Sequence, residues 1–144
     1  MLGKGASYEF RWRRWALLRD VVVEHLEAGN AGSRFPQFAA IGNALGVSSI
    51  ELPASSLAEE VEAIRRGLAS RTVEDLVISG STASVLYPNV RLEKSRPLTR
   101  SELQQIAPVG DALSLDQYFS SMLESMLDIC RSPHAGGMIE VVDG

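Results

Sequence analysis

The stripe Leu115, Tyr118, Phe119, Met122, Leu123, Met126, Leu127 and Cys130 recurs at helical spacing, so this stretch needs an apolar surface along its whole length. Ser114 and Gln117 form a capping box at its start, and Ser132-Pro133 ends it. The pattern predicts a helix from about Leu115 to Arg131 with Phe119, Met122, Leu123 and Met126 buried.

A second long helix is expected from Arg11 to Ala28, a run without Gly or Pro that stops at Gly29-Asn30. Trp12, Trp15, Val22, Val23 and Leu26 share one face, and Arg13, Asp20, Glu24 and Glu27 make a narrow polar strip. Arg19 falls on the apolar face, where a guanidinium needs a carboxylate or several carbonyls. No acid of its own turn shares that face, so the carboxylate is expected from outside the helix.

Between these helices the signals are shorter. Gly29 to Pro36 reads as a surface loop, and Ser49-Ile50-Glu51-Leu52 as a short strand ended by Pro53. Ser56 with Glu59 suggests a box before a shorter helix carrying Leu57, Val61, Ile64 and Leu68, with Glu62 and Arg66 as an i, i+4 ion pair. Leu76-Val77-Ile78 and Val85-Leu86-Tyr87 read as a β-hairpin around Ser79 to Ser84, followed by a half-exposed strand over Val90 to Lys94. Thr99 and Glu102 box a short helix from about Arg100 to Ala107, with Leu98 placed to staple onto Leu103, and Met138 to Val142 is a last strand.

This order lacks regular βαβ alternation. It predicts one α+β domain over residues 8–144, a small, largely antiparallel sheet packed by two long and two shorter helices, behind a loose terminus at 1–7. A chain of 144 residues, 45% hydrophobic and 22% charged, is the size of one ordinary globular domain. Its longest apolar runs, Trp15 to Leu18 and Phe38 to Ile41, fall short of a signal sequence or a membrane span. Cys130 is the only cysteine, which excludes an intrachain disulfide; a soluble, cytoplasmic protein is expected.

Chemistry-bearing residues are sparse. One Cys and two His do not supply a zinc set, and Pro133 breaks the register between Cys130 and His134. Cys130 sits in the apolar stripe as a small hydrophobe, and His25 borders a packed face. Ser79 to Thr82 offers hydroxyls on a turn, but no P-loop lysine or nucleophile elbow accompanies it, and Gly3-Lys4-Gly5 lacks a preceding strand. No metal, cofactor or catalytic set is expected, and the reading leans away from an enzyme.

Charge is more informative. A formal net charge of -4 argues against general affinity for nucleic acid or anionic lipid, and the tryptophans of Phe10 to Trp15 serve as core anchors between their arginines. Residues 101–144 hold seven acids against the single base Arg131. Asp116, Ser120, Glu124 and Asp128 follow one another at i+4 along the outer face of the last helix, where like charges cost helix stability. The expectation is a non-enzymatic protein-binding module, most concretely an inhibitor or immunity-type protein, that sets this acidic face against a basic partner. One alternative is a small enzyme or ligand-binding domain in which Arg19 holds an anionic group; another is a structural homodimer closed by the Trp-rich or Met-rich helix.

Overall fold

A computed structural model of the chain describes residues 7–10, 12–28, 32–44, 49–89, 91–106, 114–131 and 137–143. Three strands form one sheet: β1 (Ser7–Phe10), β2 (Ser49–Pro53) and, between them, β5 (Met138–Asp143). β5 pairs antiparallel with β2, Ser49 opposite Val142, and parallel with β1, Ser7 opposite Glu140. Ser7, assigned to the loose terminus at 1–7, belongs to β1, while residues 1–6 lie outside the described residues. The sheet joins the two ends of the chain and its middle. It is not built from the expected central hairpin and the strand after it.

The helical layer contains α1 (Trp12–Val21), α2 (Pro36–Ala40), α3 (Ala54–Ala69), α4 (Gly80–Leu86), α5 (Arg100–Ile106), α6 (Leu115–Tyr118) and α7 (Ser120–Arg131). Trp15, Leu17, Leu18, Val21 and Val22 are all fully buried, so the first helix is covered on several faces. Trp15 meets the ring of Phe38 at 5.8 Å between centroids. α3 packs on α7, and the same core takes Leu57, Val61, Ile64 and Leu68 from α3 and Leu123, Met126 and Leu127 from α7. Ile139 and Val141 close the core from β5. The architecture is α+β, as the pattern predicted.

Several local expectations are corrected. The first helix changes at Val22–Leu26 into a π turn, with the Glu27 amide bonded to the Val22 carbonyl at 2.9 Å. The turn disturbs the 3.6-residue register, and Asp20 and Glu27, assigned to a polar strip, are both buried. α3 starts at Ala54 behind Pro53 with no side-chain cap, so the Ser56–Glu59 box does not form. Glu62 bonds Arg131 of α7 at 2.7 Å instead of its own-helix neighbour Arg66.

The largest error concerns residues 76–97. The expected hairpin is a strand followed by a helix: β3 (Val77–Ile78) runs into α4, and Ser79 Oγ accepts the Thr82 amide as its N-cap. Val85, assigned to a strand, is more than half exposed on α4. No strand covers Arg91 to Ser95; β4 (Arg96–Pro97) pairs with β3 instead, while Val90 lies outside the described residues. Gly80 sits so close to the Leu92 carbonyl that a Cβ would lie 2.6 Å from its oxygen, a spacing that fixes the return of the chain past α4.

The two other predicted boxes form. Thr99 and Glu102 bond reciprocally at α5, as do Ser114 and Gln117 at α6. The long C-terminal helix is interrupted at Phe119, whose dihedrals leave the helical region while Leu123 still bonds back to its carbonyl at 3.0 Å. Phe119, Met122, Leu123 and Met126 are buried as predicted, and Leu115 is buried with them. Ala107 and Pro108 lie outside the described residues.

Candidate functional site

Because α6 and α7 are nearly continuous, Asp116, Ser120, Glu124 and Asp128 lie along the side opposite the buried stripe. Glu124 and Asp128 are exposed, and Asp116 and Ser120 are half-buried. The face is not charged uniformly along its length. Arg65 of α3 reaches across to Asp116, with Nε 2.9 Å from Oδ1. Bonding to Asp116 raises Arg65 above its ordinary range, and Glu124 adds to the effect, so this guanidinium balances the α6 end of the row. The cation absent from the local sequence comes from a helix more than fifty residues earlier. Among the described residues no ion pair engages Glu124 or Asp128.

Arg19 is half-buried, and its guanidinium donates to Thr82 Oγ1 at 3.1 Å and lies over the Trp15 ring at 5.4 Å. Among the described residues it pairs with the carboxylate of Asp20, the next residue, at 3.5 Å, whereas the sequence reading looked for an acid from outside the helix. Asp20 Oδ2 accepts the Ser79 amide at 2.9 Å. Neighbouring residues of one helix therefore grip the start of α4 through a cation and an anion.

Sequence reading missed the polar residues that tie this region together. Arg96 forms a bidentate pair with Glu102 at 2.8 and 2.6 Å, and Glu102 also accepts the Thr99 amide. The guanidinium holds the Glu102 carboxyl down at about 2. The Tyr87 hydroxyl donates to the Glu102 carbonyl, and burial pushes its proton affinity up. Only the capping position of Glu102 gave a signal in the sequence.

Cys130 is buried and its thiol is pushed up to about 11 by desolvation, which leaves it protonated and a poor nucleophile at neutral pH. His134 lies outside the described residues. His25 Nε2 is 2.9 Å from the Asp75 carbonyl and serves as its donor. No group of three metal-ligating side chains exists among the described residues, and none of their helices is long and apolar enough to cross a membrane. Compared with protein-family models, curated proteins and solved structures, the chain matches none.

Proposed function

We propose that this protein is a non-enzymatic binding module that docks a basic protein surface against the outer face of α6 and α7, with Glu124 and Asp128 at the centre and Ser120 and Asp116 at the edge. The observation that carries the reading is the pair Glu124 and Asp128. They are exposed one helical turn apart, and among the described residues neither is in an ion pair. Like charges at this spacing cost a helix about 0.2–0.5 kcal/mol, a cost that the attraction of Arg65 for Glu124 offsets only in part. In its most concrete form the module is an inhibitor or immunity-type protein filling a basic groove. The alternative centred on Arg19 draws less support, because Thr82, Asp20 and Trp15 already occupy that guanidinium.

The test is reversal of both charges, Glu124→Lys with Asp128→Lys. Stability should change by only a few tenths of a kcal/mol, since both positions are exposed. The wild-type chain used as bait should capture a basic protein, and the reversed chain should lose it. The on-rate of the recovered pair should fall as salt rises through about 0.1 M, where the Debye length is about 10 Å. Equal capture by a folded double-lysine variant, with no salt dependence, would falsify the reading. Sedimentation of the unmixed protein separates it from the homodimer alternative.

A further inference from the structure

Away from the acidic face, arginines gather around Tyr87. Residues 79–100 hold Arg91, Lys94, Arg96 and Arg100 against the single acid Glu93, the reverse of the balance in α6 and α7. The Tyr87 hydroxyl donates to the Glu102 carbonyl at 3.1 Å, which brings it beside the Arg96–Glu102 pair. Burial and then Glu102 push that hydroxyl up, while Arg96 and Arg13 draw it back, so the first turn of α1 faces the same spot. Next to Arg13, Arg14 donates to the Tyr118 carbonyl at 2.7 Å and lies over the Tyr118 ring. Arg100, the first residue of α5, follows Thr99, whose amide and hydroxyl hold the Glu102 carboxylate.

One carboxylate does not balance these cations. Glu102 is engaged by Arg96, and Arg14 is occupied by Tyr118. Arg13 and Arg100 are exposed, and among the described residues neither is in an ion pair. Arg13 and Arg14 also occupy the first turn of α1, which contains no acid, at the helix end where a cation is unfavourable. The missing complement is negative, and the surroundings select its kind. Tyr87 is half-buried and Tyr118 buried, so neither offers a nucleic-acid base a face to stack on, and past Tyr118 the chain continues into Glu124 and Asp128, which repel a long polyphosphate. Val85 is the one large apolar side chain exposed among the described residues, too little for a lipid surface. A short run of carboxylates fits, because the guanidinium fork matches each of them in shape and charge.

We propose that this arginine cluster is a second docking surface, opposite in sign to the acidic face, that receives an acidic segment of a partner protein, with Arg13 and Arg100 meeting its carboxylates. Arg96 and Arg14 position it. The Arg96–Glu102 bridge and the Tyr87 hydroxyl fix α5 beside the end of α4, and the Arg14–Tyr118 contact fixes α1 against α6, so the two uncommitted cations stand on helices held in place by other bonds. The surface does not depend on the role given to Glu124 and Asp128, since none of its residues is shared with theirs.

Titrating the full chain into a labelled octaglutamate peptide tests the surface. The peptide should bind at low salt, and raising salt through about 0.1 to 0.3 M should weaken it about tenfold. Arg13→Gln with Arg100→Gln, both at exposed positions outside any described ion pair, should weaken it about tenfold at low salt. Arg66→Gln with Arg131→Gln removes as much charge from other exposed positions and should change affinity by less than about twofold. Glu124→Lys with Asp128→Lys should keep the peptide, so failure of the acidic-face reading and failure of this one are told apart. Absence of peptide binding, equal losses in the two arginine variants, or tighter binding to a single-stranded oligonucleotide or to phosphatidylserine vesicles overturns the proposal. So does self-association at low salt that Arg13→Gln with Arg100→Gln abolishes, because the occupant is then a second copy of the chain.

Discussion

α3 and α7 pack against each other, and both bring apolar stripes at helical spacing to the shared core, Leu57, Val61, Ile64 and Leu68 from one and Leu123, Met126 and Leu127 from the other. Where α4 and α5 meet the rest of the molecule, much of the attachment is polar: Ser79 to Asp20, Thr82 to Arg19, Tyr87 to the Glu102 carbonyl, Arg96 to Glu102. The first kind of contact is non-directional and scales with the area buried, so many residues share it. The second depends on a few donor and acceptor pairs, each of which fails singly. The two regions should therefore differ in how they respond to mutation, to local opening and to acid.

The largest effect is expected in the apolar pair. Leu123 is fully buried between α7 and the core, and Leu123→Ala should lower unfolding free energy by about 2–5 kcal/mol through the cavity it leaves. Denaturant titration reads the loss. Amide protection should fall together across α3 and α7, because neither stripe is buried without the other. A change below about 1 kcal/mol would break the comparison by showing that this contact is dispensable.

A smaller effect with a different signature is expected at the polar attachment. Asp20 is 5% exposed and holds both the Ser79 amide and the Arg19 guanidinium. Asp20→Ala should cost about 1–3 kcal/mol by leaving a donor unpaired. Exchange at residues 79–86 should accelerate well before that of α7. Uniform acceleration across the protein would mean that α4 belongs to the same cooperative unit as the apolar pair.

The same contrast decides what could be read in advance. The α7 stripe, the α3 stripe, the boxes at Thr99 and Ser114 and the strands at Ser49 and Met138 announce themselves through periodicity or local caps, and the structure contains all of them. Val85-Leu86-Tyr87 carries strand-favouring side chains, but Ser79 caps a helix there and Asp20 grips its first amide, a tertiary override of propensity. The π turn is equally silent in sequence, yet it goes with the burial of Asp20 and Glu27. At the acidic face the row of four residues was legible from i+4 spacing. The cation that balances its Asp116 end, Arg65, was not, because nothing local links positions 65 and 116.

The smallest effect separates the regions by pH. Glu102 is held at about 2, against an ordinary value of 4.5, chiefly by the bidentate bond from Arg96, with the Thr99 amide and hydroxyl assisting. A depressed carboxylate contributes stability that is complete above its unfolded value and disappears as pH falls through the folded one. The Arg96–Glu102 contribution should therefore be constant from neutrality to about pH 5 and lost between about 4.5 and 2. Arg96 is partly exposed, so solvent screening reduces the contribution to about 1 kcal/mol. Glu102→Gln should remove that amount at pH 7 and make its share of the acid response vanish, since the substituted side chain has nothing to titrate. Urea midpoints for the two chains, compared at pH 7 and pH 2.5, should converge at the lower value. If the gap between them persists at pH 2.5, the side chain stabilises α5 by its shape and neutral hydrogen bonds, and the polar region is less dependent on charge than its short ion pair implies.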